Sequence, residues 1–194
     1  VTPRDIVERF AATHRVPRWL VDPETPLDLS AMEASFSERV LGQPEAVGAV
    51  VSMIGLIKAG LSDMRRPFGV FMFVGPTGVG KTHTGQLLAE TLFGRRDRMV
   101  RLNMADYSGD GSASLVFGEP QESRLAQQRG VLSQRLMGHP FAVLLLDEFE
   151  KANPTVHDRF LQLMDEGAFI NGAGETVSCR SLIIIATSNV GAEV

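Results

Sequence analysis

Apolar residues recur with two different periods along this chain. In "SERVLGQPEAVGAVVSMIGLIKAG" the positions Val47, Val50, Val51, Ile54 and Ile57 fall at helical spacing, and Pro44 suits a first helical turn, so the spacing predicts an amphipathic helix with its apolar stripe on a core. The period then shortens. "FGVFMFVG" is a continuous apolar run ending in glycine, the pattern of a strand buried on both faces. The runs "MVRLNM", "FAVLLLD" and "SLIIIATSN" repeat that pattern, separated by helical stretches that Gly94, Gly138 and Gly167 close. Asn153 is a natural N-cap, with Pro154 in the first turn behind it. Strands alternating with helices predict an α/β fold, a mostly parallel sheet with helices on both faces. "AFINGAGETV" departs from the alternation and reads as a β-hairpin turning at Asn171 to Gly174.

Ahead of these elements, residues 1–37 form a separate stretch, a short helical lead-in interrupted by Pro17, Pro23 and Pro26, and residues 38–194 form the main unit. The chain starts at Val1 and ends soon after an apolar strand, which is expected of a piece of a longer protein. Composition adds limits rather than detail. A net charge of −4 offers no field for nucleic acid or an anionic membrane, and Arg95, Arg96, Arg98 and Arg101 read as a solvated turn and strand start. No apolar run approaches the ~20 residues that span a bilayer, and the charged start does not resemble a signal peptide, so a cytoplasmic location and no membrane partner are expected. Cys179, the single cysteine, can form no internal disulfide and is assigned to packing. His14, His83, His139 and His157 lack ligand spacing; only His83 follows a candidate site. Met53, Met72 and Met164 read as core filler.

Candidate chemistry concentrates at the ends of the predicted strands. "GPTGVGKT", comprising Gly75, Pro76, Thr77, Gly78, Val79, Gly80, Lys81 and Thr82, matches the P-loop pattern and sits between a buried strand and a helix. Glycines there let backbone N–H groups turn inward around phosphate oxygens, and the helix N-terminus adds its positive end. In that pattern the lysine reaches the β- and γ-phosphates of ATP and the Thr82 hydroxyl binds Mg²⁺. "FAVLLLDEFE" delivers Asp147, a second Mg²⁺ ligand, and Glu148, a carboxylate able to polarise the attacking water, to the end of another strand. Asn189 ends "SLIIIATSN"; residue type alone fits equally a strand-capping turn or a γ-phosphate contact.

The order "RVLGQPEAV", "GPTGVGKT", "LLLDEFEKANPTV", "DEGAFINGAGETV" and "IIIATSNVG" resembles the second ATPase module of Clp-type AAA+ unfoldases and disaggregases, from about Glu38 onward. The resemblance implies the large subdomain of a P-loop AAA+ module, with the helical lid, the arginine finger and the second sensor falling beyond residue 194. It also implies an adenine pocket lined by Val40 and Leu41, Asn189 as γ-phosphate sensor, Glu148, Lys81 and Asn189 as the hydrolytic set, a homo-hexameric ring, a protein substrate, and room for a peptidase partner. One motif departs: the aromatic pore motif of the family, Gly-Tyr-Val-Gly, aligns with Glu122, Ser123, Arg124 and Leu125. Serine lacks the area and stiffness of an aromatic grip, which leaves a nucleotide-switched ring that binds partners without threading them as the alternative reading.

Overall fold

In the computed structural model the chain is described over residues 2–40, 42–76, 78–119 and 125–190. Its elements follow in the order α1 (Pro3–His14), α2 (Arg18–Val21), α3 (Leu29–Arg39), α4 (Pro44–Lys58), β1 (Gly69–Val74), α5 (Lys81–Phe93), β2 (Met99–Asn103), α6 (Ser112–Phe117), α7 (Leu125–Leu136), β3 (Ala142–Asp147), α8 (Pro154–Glu166), β4 (Ala168–Ile170), β5 (Thr176–Ser178) and β6 (Leu182–Ser188). Strands β1, β6, β3 and β2 form, in that order, a four-stranded sheet whose pairs are all parallel. The two remaining strands, β4 and β5, pair antiparallel as the hairpin expected around Asn171 to Gly174.

Strand periodicity divides the interior in two. On β3 and β6, Ala142, Leu144, Leu146, Leu182, Ile184 and Ala186 face a core closed by α6, α7, α8 and the hairpin, with Phe117, Leu132, Phe160 and Leu163 at its centre. Val143, Leu145, Ile183 and Ile185 face the opposite core, which α3, α4 and α5 close with Phe36, Ile54, Leu87, Leu88 and Phe93. Helices therefore cover both faces of the inner strands β3 and β6, as parallel strands require. Residues 1–37 pack on the second core through Val16, Phe36 and the half-buried Trp19, and Lys58 Nζ donates to the carbonyls of Trp19, Asp22 and Pro23.

The expectations for β1, Met72 and Arg98 are corrected here. Strand β1 is not buried on both faces: Phe71 and Phe73 pack inward, whereas Val70, Met72 and Val74 are exposed, Met72 to 54%. The strand lies at the sheet edge, and its outward face meets no covering helix among the described residues. Met72 thus is not core, while Met53 is buried and Met164 packs against the other core. The arginine cluster is a solvated turn and strand start at Arg95, Arg96 and Arg101, which are exposed, but not at Arg98. Arg98 is buried and donates to the carbonyls of His14 and Phe141, while Arg95 pairs with Asp97 and Arg96 with Glu90. The fourth member, Arg101, turns toward the candidate site.

Candidate functional site

Register brings the carboxyl ends of all four parallel strands to one edge. Val74 lies opposite Ser188, Leu146 opposite Ala186, and Asn103 opposite Asp147. The loop after β1, the strand end at Asn189, the Asp147–Glu148 pair and the end of β2 consequently surround one cleft of about 450 Å³. It is lined by Gly78, Gly80, Lys81, Thr82, His83, Arg101, Asn103, Asp147, Glu148 and Asn189. A crevice beyond the carboxyl ends of parallel strands is where open α/β sheets bind ligands.

The P-loop gets its shape from glycine. Gly78 and Gly80 take φ of +91° and +98°, and neither would meet a heavy atom within 4 Å on gaining a Cβ, so the space inside the loop is clear. Gly80 caps α5, whose first residues are Lys81 and Thr82. Lys81 Nζ donates to the carbonyls of Gly75 (2.5 Å) and Pro76 (3.2 Å) and to Asn189 Oδ1 (2.7 Å). Gly75 N–H also donates to the Ser188 carbonyl at 3.1 Å, tying the loop base to β6. Val79 is partly exposed, and Thr77 lies outside the described residues.

The acidic pair is held from β6 and β2. Thr187 Oγ1 donates to Asp147 Oδ1 at 2.6 Å and accepts from the Glu148 N–H at 3.2 Å. Arg101 Nε and Nη2 donate to Asp147 Oδ2 at 3.0 and 2.5 Å. Burial pushes the Asp147 carboxyl up, but the Thr187 hydroxyl and the Arg101 guanidinium outweigh it and hold the group below the usual aspartate range. Glu148 has φ +54°, a left-handed conformation that costs a non-glycine residue on the order of 1 kcal/mol or more and that clusters at functional sites. Its Oε1 pairs with Lys151 Nζ at 2.9 Å.

Not every expected residue reaches the cleft. Val40 is buried at the C-cap of α3, in the core it shares with Leu87 and Leu88, and is not among the described cleft-lining residues. Its neighbour Leu41, and Glu122, Ser123 and Arg124 of the substituted pore motif, lie outside the described residues, as does the side chain of Leu125. Sequence reasoning missed Arg101, Asn103 and Thr187. Each sits within two residues of a strand's carboxyl end, and the in/out alternation of β2 placed Arg101 on a face opposite buried Val100 and Leu102. Only register could show that it meets Asp147. The residues present suit a nucleotide with a bound divalent cation: the loop is an open glycine cradle with a cationic Lys81 beside it. Thr82 and Asp147 supply the hard oxygen donors that Mg²⁺ takes, and Asp147 is already held as an anion facing a cation.

Comparison with known proteins agrees with this fold. The family model described as AAA domain (Cdc48 subfamily) matches residues 66–194. The chaperone protein ClpB 1 of Nostoc sp. is 41% identical over all of this chain, which spans 22% of its length. The ATP-dependent Clp protease ATP-binding subunit ClpE of Bacillus subtilis is 39% identical over 97% of the chain and 27% of its own length, and the ClpC subunit of Staphylococcus aureus is 37% identical over the whole chain and 24% of its own. Among solved structures, a closed-state cryo-EM reconstruction of Hsp104 with ATPγS and FITC casein superposes with a TM-score of 0.78 at 37% identity, over 85% of this chain and 28% of that one. The chain belongs to the AAA domain family, Cdc48 subfamily, and is related along its whole length to the ATP-binding subunits and chaperones of the Clp type.

Proposed function

We propose that residues 38–194 are the nucleotide-binding core of a Clp-like protein-remodelling ATPase, with residues 1–37 as its lead-in, and that the cleft binds ATP with Mg²⁺ and hydrolyses it. The observation that carries this reading is the convergence of Lys81, Asn189, Thr82, Asp147 and Glu148 on one cleft. The backbone N–H groups of loop residues 75–80, other than Pro76 which has none, are assigned to the phosphates. Lys81, which holds Asn189 and two loop carbonyls, exchanges part of that set for phosphate oxygens. Thr82 and Asp147 would hold Mg²⁺, which would supply positive charge to neutralise the phosphates. To hold the ion, Asp147 would release Arg101, with Thr187 still orienting the carboxylate. Glu148 leaves Lys151 and accepts a hydrogen bond from the attacking water, polarising it toward the γ-phosphate. Asn189 contacts that phosphate through its side-chain amide. Val40 and Leu41 are assigned to the adenine side, Val40 from within the core wall.

The relatives named above are chaperones and protease ATP-binding subunits, so the substrate proposed here is a protein, handled by a homo-hexamer in the cytoplasm and, as in the Clp protease relatives, open to a peptidase partner. Among the described residues no helix is long and apolar enough to cross a membrane. The test compares the intact protein with its Glu148→Gln variant for ATP turnover and for unfolding of a fluorescent substrate. Turnover in wild type no faster than in Glu148→Gln would sink the catalytic assignment. The non-aromatic Glu122, Ser123, Arg124 and Leu125 favour a second reading, a ring that assembles on ATP and leaves its partner folded. Substrate that stays folded while ATP is turned over, and begins to unfold in Ser123→Tyr, distinguishes that ring from an unfoldase.

A further inference from the structure

Glu150 is a half-buried carboxylate that the hydrolytic scheme does not use. It sits in the short 3₁₀ turn Phe149–Lys151, directly after Glu148, and Phe149 fastens this turn to the core against Phe160 and His157. Glu150 Oε1 accepts the backbone N–H of Asn189 at 3.1 Å. Its Oε2 is enclosed and, among the described residues, has no hydrogen-bond partner. Burial pushes the carboxyl up, yet the N–H groups of Asn189 and of Glu150 itself, the Ser188 hydroxyl and the Lys151 charge together hold it below the usual glutamate range. This half-buried anion stands where the turn carrying Glu148 meets the strand end carrying Asn189, beside the Glu148 N–H contact to Thr187. Ser188 Oγ accepts the Val190 N–H at 3.1 Å, so the backbone on either side of the Asn189 Cα is held.

We propose that Glu150 is a positioning residue. It fixes the Asn189 backbone so that the side chain, held from the other side by Lys81, is presented to the γ-phosphate, and it makes the Glu148 turn and the Asn189 strand end move as one unit. The inference rests on the reading of Asn189 as the γ-phosphate contact. A residue acting this way governs discrimination between nucleoside triphosphate and diphosphate while leaving diphosphate binding, which the P-loop supplies, nearly untouched.

The test measures ATPγS and ADP affinities, each with Mg²⁺, by calorimetry on the intact protein. Asn189→Ala is expected to lower the ATPγS-over-ADP preference about tenfold, the loss of one hydrogen bond to a charged group. Glu150→Ala is expected to lower it to a similar extent with ADP affinity within about threefold, and the double variant to fall no more than about twofold further, because both act through one contact. Glu150→Gln, which keeps an oxygen for the Asn189 N–H, should recover the preference to within about threefold of wild type. An unchanged preference in Glu150→Ala beside a lost one in Asn189→Ala would overturn the role of Glu150 and leave the ATP reading standing, as would multiplicative losses in the double variant or no recovery in Glu150→Gln. A preference unchanged in Asn189→Ala would overturn the reading of Asn189 and the inference with it. If Glu150→Ala fails to fold, amide exchange in Glu150→Gln decides: the neutral bond should speed exchange at Asn189 by about fivefold with the centre of β6 unaltered, and equal exchange would refute the contact.

Discussion

Lys81 and Asn189, 108 positions apart in the chain, meet at 2.7 Å, Nζ to Oδ1, and with the Gly75 N–H on the Ser188 carbonyl this hydrogen bond joins the P-loop to the end of the neighbouring strand. It depends on Val74 and Ser188 sharing a register, which sets the first residue of the loop beside the last residues of β6. Lys81 therefore serves two partners in turn: the protein's own carbonyls and amide, and then phosphate.

Replacing Lys81 by Ala should weaken nucleotide binding by tenfold or more, since a charge-assisted contact to phosphate is worth about 1.5–3 kcal/mol. Thermal stability should change little, because the side chain is only partly buried and its bonds at the loop are exchangeable. Calorimetric titration with ATPγS beside a melting curve checks both.

Glu148 is predicted to separate chemistry from folding. Glu148→Gln should bind ATP as wild type does and turn it over about 10²-fold more slowly or worse, the usual loss for a positioned general base. Because φ at this position is +54°, Glu148→Gly should be about 1 kcal/mol more stable than Glu148→Ala, as glycine carries no Cβ penalty there. Denaturant unfolding of the two inactive variants measures the difference, and equal stabilities would argue against strain at this turn.

Asp147 sets an acid limit. Its folded pKa is depressed below the ordinary 3.8, so the stability it contributes is fully present above that value and is lost as pH falls through the lower, folded value. Wild type should exceed Asp147→Asn by roughly 1–2 kcal/mol at neutral pH, the worth of a hydrogen bond to a charged group discounted for the half-exposed arginine. That gap should stay constant down to about pH 5 and close below pH 4, as chemical unfolding across that range would record.

Gly130 is expected to tolerate no side chain. It breaks α7 with φ +72°, and a Cβ there would lie 2.3 Å from Gly118 N and 2.5 Å from Phe117 C, both backbone atoms that cannot rotate away. Gly130→Ala should cost about 2 kcal/mol or more, a melting shift of roughly 4–8 °C, with the P-loop's ADP affinity retained.

Much of this architecture was legible before any coordinates. The β6 run Leu182–Ser188 is apolar enough to require cover on both faces, and Asn153–Pro154 and Gly167 mark the ends of α8. The hairpin loop was readable because Asn171 side-chain oxygen accepts the N–H groups of Ala173 and Glu175, a turn chemistry particular to that residue type. β1 misled because its composition matches a buried strand, while its exposure depends on its place at the sheet edge. Arg98 misled for a related reason: within an otherwise exposed cluster it turns into the core beside Phe141, while exposed Arg101 reaches across to Asp147, and packing between elements decides both.

The sequence by itself determined the element types, the glycine loop and the identity of the groups able to hold phosphate, metal and water, because these follow from local spacing and from chemistry that each residue carries wherever it lies. The tertiary structure alone decided which of those groups meet. Strand order and register, set by packing two cores against one sheet, placed Asn189 on Lys81, Thr187 and Arg101 on Asp147, and Glu150 under Asn189. Those contacts join residues dozens of positions apart, and no local pattern encodes the sum of the packing terms that brings them within hydrogen-bond reach.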